Sequence, residues 1–281
     1  MRGDFVDFAI DPGVYGRLDE VAKKHGASMF MVAHTALAVL LSRLSNSGDI
    51  AIGTPLAARS DQALDDLVGM FVNTLVLRTE VDPGAAFVDL LGRVRESDLS
   101  AFENSDIPFE RLVEARNTRR SSAYSPLFQV MLSFQNNRIG TLELPGLTVQ
   151  VLEDMDEGAK YDLTLTLTEQ FDESGRPNVV SGRITYATDL FDSSSVARIA
   201  ERFTRILEAV AADPQVAAGD IDILTDSERT KLRKPEVRRP MTVRELPALL
   251  AAAVQVAPEA VAVAHDGMQV TYREFDERLR L

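Results

Sequence analysis

Residues 161–168 (YDLTLTLT) follow a strict period of two, with leucine and threonine alternating from Leu163 onward, and this is the clearest hydrophobic pattern in the chain. A period of two places Leu163, Leu165 and Leu167 on one face and the threonines on the other, as in a half-buried strand. Further strands are predicted at residues 5–10, 146–153 and 179–188. The chain is therefore predicted to contain several strands that bury one face.

Segments with helical periodicity lie between and after these strands. Asp11 and Pro12 are a typical N-cap and first turn for a helix that ends at Gly26. Ser28 can cap the next helix, residues 29–44, which is apolar almost all round and should be buried on more than one side. Within it, His34 is predicted to be a core histidine that is hydrogen-bonded to a neighbour, since no acid or nucleophile lies beside it at a recognisable spacing.

Three more helices are predicted, at residues 86–102, 193–212 and 241–255. The first of them is amphipathic, and its predicted inward residues are Phe87, Leu90, Leu91, Val94 and Leu99.

Residues 49–78 read DIAIGTPLAARSDQALDDLVGMFVNTLVLR and predict a strand, a loop, a short helix and a second strand. The first apolar run stops at Gly53, and the chain then crosses Pro55, whose ring disfavours a helix before it. The polar residues 60–66 are the predicted short helix, and residues 71–77 are the second strand. Asn73 and Arg78 stand where burial is expected, so each side chain must find partners.

Residues 126–136 form a predicted strand with two unlike faces. One face carries Gln129, Met131, Ser133 and Gln135, and the other carries Phe128, Val130, Leu132 and Phe134. The amide-bearing face suits the wall of a wet cleft and equally suits a strand that is simply half exposed.

Three segments of the chain resemble the signature motifs of condensation domains of nonribosomal peptide synthetases. Residues 53–59 (GTPLAAR) and 68–78 (VGMFVNTLVLR) match one long motif, with Ala58 where the family usually has glycine. Residues 106–113 (DIPFERLV) match a second, in which Asn104 and Ser105 replace the usual His-Gln, and residues 126–131 (PLFQVM) match a third.

The resemblance implies an α/β fold, a chloramphenicol-acetyltransferase-like two-layer sandwich that is the C-terminal lobe of a condensation domain. Such a domain has two lobes with a tunnel between them, where a carrier-bound amine attacks a carrier-bound thioester to form an amide. The family's catalytic His-His-x-x-x-Asp-Gly motif lies in the N-terminal lobe, and this sequence contains no His-His pair. We therefore assign no catalytic residue and expect the chain to be inactive alone.

The resemblance also implies roles for particular residues. An arginine should pair with the aspartate of the missing motif and hold the lobes in register, with Arg78 the first candidate and Arg59 the second; the alternative is a surface arginine at a strand end. Asn73 belongs to the same supporting group. Candidate tunnel-lining residues are Gln129, Ser133 and Gln135, and the motif loops contribute Gly53, Pro55, Asp106 and Pro108. Pro108 is expected in the first turn of a helix whose N-cap region includes Asp106.

The C-terminal part is predicted to be a different domain. Residues 1–224 are assigned to the condensation-domain lobe, residues 225–240 to a linker and residues 241–281 to the beginning of an adenylation domain. The last segment resembles the family's Pro-x-x-x-Ala-Val and Leu-Thr-Tyr-x-Glu-Leu patterns and stops before any nucleotide-binding motif.

Composition narrows the remaining classes. A net charge of −13, from 43 acidic and 30 basic residues, argues against nucleic-acid binding. The absence of cysteine excludes disulfides and thiolate metal sites, and three distant histidines show no metal spacing. No signal-peptide or membrane-spanning pattern is present, so the cytoplasm is the expected location.

The expected partners are donor and acceptor carrier proteins, the missing N-terminal lobe and the rest of the adenylation domain. No cofactor is expected to bind directly, because the phosphopantetheine arms belong to the carrier proteins. One alternative remains open, a non-catalytic module that docks carrier or partner proteins. An in-frame His-His-x-x-x-Asp-Gly motif encoded upstream would favour a piece of an amide-forming enzyme. A promoter there would favour the docking module.

Overall fold

A computed structural model describes residues 2–57, 67–116, 125–136, 158–171, 177–233 and 246–279. The chain divides into two compact units, Met1–Thr225 and Asp226–Leu281. The predicted short helix at residues 60–66, the predicted strand at residues 146–153 and the candidate Arg59 lie outside the described residues.

The larger unit is built on a mixed sheet of six strands in the order β1-β6-β5-β4-β2-β3. Strand β4 runs parallel to both of its neighbours, β2 and β5, whereas the other neighbouring pairs are antiparallel. Among the described strands, β1 and β3 are therefore the edges of this sheet. The strands are β1 (Gly3–Ile10), β2 (Asp49–Ala57), β3 (Val72–Glu80), β4 (Val130–Gln135), β5 (Leu163–Phe171) and β6 (Pro177–Ala187).

All but one of the described helices of this unit share a core with one face of the sheet, and the exception, the short helix at Phe109–Ala115, has no buried residue. The helices of this unit are α1 (Pro12–Lys24), α2 (Met29–Ser45), α3 (Phe87–Glu103), α4 (Phe109–Ala115) and α5 (Ser193–Ala212). Leu163, Leu165 and Leu167 are 7%, 2% and 1% exposed and join the core that these helices form. This confirms the orientation predicted from the leucine and threonine alternation, and it leaves the threonine side on the opposite, polar face.

The predicted helix ends are confirmed at α1 and α2. The Asp11 side chain accepts from the backbone N–H of Gly13 and Val14, and Ser28 Oγ accepts from Met31 N at 3.2 Å. Gly26 has φ +62°, a conformation that glycine adopts without strain. One inward prediction in α3 is wrong, because Leu99 is 40% exposed.

Two predicted strands have different limits in the structure. Strand β2 does not stop at Gly53 but continues through Pro55 to Ala57. Pro55 is tolerated because, among the described residues, β2 pairs with β4 only at Ile52 and Gly53, so beyond them its one described partner is β3. Strand β4 is shorter than predicted: Leu127 has φ +72°, and the strand begins only at Val130.

The described residues of the smaller unit form a two-stranded antiparallel sheet and three helices. Its elements are α6 (Asp226–Arg233), α7 (Leu246–Val256), β7 (Val261–His265), β8 (Met268–Thr271) and α8 (Tyr272–Leu279). The predicted linker therefore begins with a helix. A turn at Asp266 and Gly267 joins β7 to β8, with positive φ at both residues.

No single described helix is both long and apolar enough to cross a membrane. Helices α1 and α2 meet that criterion only as a pair, and they are bent by 104° against each other.

Candidate functional site

Asn73 joins strand β3 to the loop and helix that follow α3. Its Nδ2 donates to the carbonyl oxygens of Ser105 at 2.8 Å and Ile107 at 2.9 Å. Its Oδ1 accepts from the backbone N–H of Thr74 at 2.8 Å and Phe109 at 3.2 Å. The amide predicted to need partners therefore finds them in the backbone of another signature segment.

The start of α4 differs from the prediction in a way that Asn73 explains. The helix begins at Phe109, so Pro108 lies at the N-cap and not in the first turn, and it offers no side-chain acceptor. Asp106 makes no capping hydrogen bond to this helix. The first helical N–H is satisfied instead by Asn73 from β3, a residue that local sequence rules for caps do not consider.

Gly53 is required for the close approach of a buried aromatic ring. A Cβ on Gly53 would lie 2.7 Å from Phe128 Cδ2 and closer still to two other atoms of that ring. Phe128 is fully buried, and its ring centroid lies 5.7 Å from that of Phe109 and 5.0 Å from that of Tyr161. We call Gly53, Asn73, Phe109 and Phe128 the motif junction, because residues from all three signature motifs meet there.

Arg78 lies near the other end of β3 and is held by one carboxylate. Its Nε donates to Asp49 Oδ1 at 2.8 Å and its Nη2 to Asp49 Oδ2 at 2.7 Å. The two side chains are 68% and 56% exposed. This hydrogen bonding lowers the pKa of Asp49 from its usual value and raises that of Arg78. The pair lies in an open groove of about 870 Å³, which Glu80, Asp82 and Arg93 also line.

The structure does not bring Arg78 and Asn73 together. Both lie on β3, where a rise of roughly 3.4 Å per residue separates their Cα atoms by about 17 Å. The predicted supporting group is therefore two separate sites, the motif junction and the exposed Arg78–Asp49 pair. Asp49 was not predicted from the sequence as the partner of Arg78. The pairing of β2 with β3 places this acid diagonally across from the arginine, and such a cross-strand charge pair could have been found once the two strands were paired.

The candidate tunnel-lining residues have three different environments. Gln129 precedes β4 and donates to the carbonyl oxygen of Ser125 at 3.1 Å, so the prediction that places it on a strand face is wrong. Ser133 is half-buried within β4, and Gln135 accepts from Thr168 Oγ1 at 3.3 Å. Their neighbour Met131 is 9% exposed, so only the far end of β4 carries a polar face.

Gln135 borders a polar groove of about 580 Å³ on the face of the sheet opposite the helices. The groove is also lined by Thr166, Thr168 and an ion pair in which Arg183 Nε lies 2.7 Å from Asp7 Oδ1. Its hydroxyl and amide groups suit a wet surface. Within the described ranges no cluster of potential metal ligands is present.

The model of the condensation-domain family matches residues 1–233. The chain belongs to the condensation-domain family. A dimodular nonribosomal peptide synthase from Bacillus subtilis is 41% identical over 278 residues, covering 98% of this chain and 12% of the synthase. This condensation domain is thus of the kind found in nonribosomal peptide synthetases, and it spans about an eighth of that relative.

Solved structures agree with the family assignment. The complex of the X-domain and OxyB from teicoplanin biosynthesis superposes with a TM-score of 0.74 at 33% identity, covering 80% of this chain and 49% of that chain. The four-domain nonribosomal peptide synthetase holo-AB3403 gives 0.73 at 23% identity, covering 97% of this chain and 22% of that chain, which shows the fold alone. The predicted fold class, an α/β sandwich of the chloramphenicol-acetyltransferase type, is confirmed for this condensation domain.

Proposed function

We propose that residues 1–224 are the C-terminal lobe of a condensation domain and supply one wall of a reaction channel that a second lobe completes. The three signature motifs found here are those of the family's second half. The chain also accounts for 49% of the X-domain chain with which it superposes. The motifs support the assignment to the second half of the domain, and the coverage supports a length of about one lobe.

The observation that carries the proposal is that Arg78 is exposed and has N–H groups that Asp49 does not use. Asp49 occupies Nε and Nη2 of Arg78 and fixes the plane of its guanidinium. The remaining N–H groups of Arg78 meet no acceptor among the described residues, and a guanidinium can serve two carboxylates at once. The aspartate of the missing motif would be the second carboxylate, giving an ion pair across the two lobes.

A second feature supports a partner surface beside β3. Val68, Met70 and Val72 precede or begin this edge strand and are 105%, 91% and 60% exposed. Adjacent exposed apolar side chains typically mark a protein interaction site. We infer that the second lobe covers them.

Amide formation requires chemistry that this chain does not carry. The acceptor amine forms a C–N bond with the donor carbonyl, the C–S bond breaks, and the amine proton must be accepted while the oxyanion is stabilised. The family places that task on its His-His motif, which is absent from this sequence. The chain should therefore require the other lobe for activity.

Residues 241–281 are proposed to be the beginning of an adenylation domain. The match to the Bacillus subtilis synthase covers 98% of this chain, and so extends past the end of the family match at residue 233. The elements α7, β7, β8 and α8 would then be the first structural elements of that next domain. Donor and acceptor carrier proteins, which bring their phosphopantetheine arms, remain the proposed partners, and the cytoplasm the proposed location.

The test is complementation in trans. Two carrier proteins loaded with a donor and an acceptor amino acid are mixed with this chain, with a separately expressed N-terminal lobe, or with both, and dipeptidyl product is measured by mass spectrometry. Product is expected only with both polypeptides and not when the lobe's motif histidines are replaced by alanine. Product from this chain alone, or none from the mixture although the two polypeptides bind each other, would contradict the proposal.

One observation favours a second function, docking without catalysis. The X-domain structure, 33% identical to this chain, is a complex with OxyB, so a protein of this fold can hold a partner. By analogy, this chain would bind a carrier or partner protein without the second lobe. Calorimetric titration of loaded carrier protein into the chain alone, run beside the complementation assay, distinguishes the two functions, because docking without catalysis predicts saturable binding and no product when the second lobe is added.

A further inference from the structure

A hydrogen-bonded chain of three side chains is sealed inside the larger unit. His34 Nδ1 lies 3.0 Å from Asp98 Oδ2, and His34 Nε2 lies 3.2 Å from Thr79 Oγ1. The His34 and Asp98 side chains have no exposed surface, and Thr79 is 6% exposed. These three side chains join α2, α3 and edge strand β3, and we call them the buried relay.

The buried relay is not explained by packing alone. Asp98 Oδ1 is buried and has no hydrogen-bond partner within the described part of the chain. Such an orphaned acceptor is unfavourable, and apolar residues of similar volume commonly fill a core at least as well. A buried polar chain that persists despite this is best attested as a device that fixes one alignment of packed elements.

The alignment it fixes is that of β3, the strand that carries Arg78. Thr79 follows Arg78 directly, so their side chains point to opposite faces of the sheet. A slip of one residue would turn Arg78 toward the helices and Thr79 toward the open face. No described strand lies on the outer side of β3. Asn73 anchors the beginning of β3 to the segment before α4, and Thr79 makes the corresponding contact beside Arg78 near its other end.

We propose that His34, Asp98 and Thr79 are positioning residues that lock β3 in register and thereby hold Arg78 on the open face. Thr79 is the residue of β3 that bonds to the relay. His34 connects it to α2, on which His34 lies, and through Asp98 to α3. The importance of this lock for catalysis rests on the function proposed above for Arg78. The lock itself is a property of this chain and can be measured on it alone.

The experiment follows the Arg78 side chain by NMR. The Nε–H signal, identified by its loss in R78K, reports the hydrogen bond to Asp49, and it is recorded for T79V, T79S and T35V. T79V keeps the shape but removes the hydroxyl, whereas T79S keeps the hydroxyl. T35V is the matched control, because Thr35 is 1% exposed on the same helix as His34 and bonds only within that helix, to Met31 O at 2.7 Å.

The expected result is a broadened or shifted Arg78 signal in T79V, together with a loss of about tenfold in complementation with the second lobe. T79S and T35V should keep the wild-type signal and activity. If T79V does not fold, D98N is the second variant, and it too should disturb the signal. A wild-type Arg78 signal in whichever of these two variants folds, or an equal disturbance in T35V, would overturn the proposal.

The same measurements separate this inference from the proposed function. A disturbed signal in T79V with full product formation by R78A would keep the lock and reject the inter-lobe role of Arg78. Loss of product in R78A with an undisturbed signal in T79V would reject the lock alone.

Discussion

Two regions of the paired strands β2 and β3 differ in almost every physical respect. One is the motif junction, which includes Gly53 and Asn73, and the other is the ion pair between Arg78 and Asp49. At the motif junction the polar atoms of Asn73 are bonded to backbone groups, and the space above Gly53 is filled by a fully buried ring. At the other end Arg78 and Asp49 are mostly exposed and pair with each other in an open groove.

This difference shows that a family signature does not mark a single kind of residue. The junction residues hold β2, β3 and α4 together, so their loss should be seen in stability. Arg78 adds little to stability because water screens an exposed ion pair, and its loss should be seen only where a second lobe is present.

The largest effect is expected from G53A. The added methyl group would overlap the Phe128 ring, and such overpacking destabilises a core by roughly 1–3 kcal/mol, at the upper end here because the ring is enclosed by Phe109 and Tyr161. Urea denaturation followed by circular dichroism measures the change.

G16A is the matched control for that variant. Gly16 lies in α1, and no other atom lies within 4 Å of the place that an added methyl group would take. Alanine there should therefore stabilise the chain by roughly 0.5–1 kcal/mol. Equal effects of the two substitutions would refute the close-approach explanation of Gly53.

N73A should have the next largest effect. It removes the acceptor for Phe109 N–H and the donors to Ser105 and Ile107, at a cost of about 2 kcal/mol. Hydrogen exchange should show lost protection in α4 while α5 keeps its protection. A uniform loss across the unit, or none in α4, would show that Asn73 does not anchor this helix.

Local patterns predicted much of the framework in which these residues lie. Leucine alternation predicted the buried face of β5, and Asp11 and Ser28 predicted the starts of α1 and α2, because each signal acts over a few neighbouring residues. The core location of His34 was also predicted, but its partners Thr79 and Asp98 were not. They are 45 and 64 residues away, and no periodicity encodes such a contact.

The same limit explains what was missed in the candidate site. The strand through Pro55 depends on where β4 departs from β2, and the cap of α4 comes from a residue 36 positions earlier. The Arg78 partner on the proposed second lobe, the tunnel-lining roles of Ser133 and Gln135, and the function of Arg59 stay predictions, because they depend on contacts outside the described residues.

A smaller effect is expected when the pH is lowered. Arg78 lowers the pKa of Asp49, so the pair contributes stability above the usual carboxyl pKa of about 4 and loses it as the pH falls through the lowered value. The Arg78 Nε–H signal should therefore persist at pH 5 and disappear only in stronger acid. D49N, which cannot ionise, should show no such transition, and an unchanged transition in D49N would assign the titration to another group.

The most direct test of the account compares stability and product formation for R78A in the presence of the second lobe. We predict an unfolding free energy indistinguishable from that of wild type and a product yield at least about tenfold lower, because an exposed pair is lost from this chain and an inter-lobe contact is lost from the assembly. Wild-type product yield from folded R78A would contradict the assignment of Arg78 to the interface between the lobes.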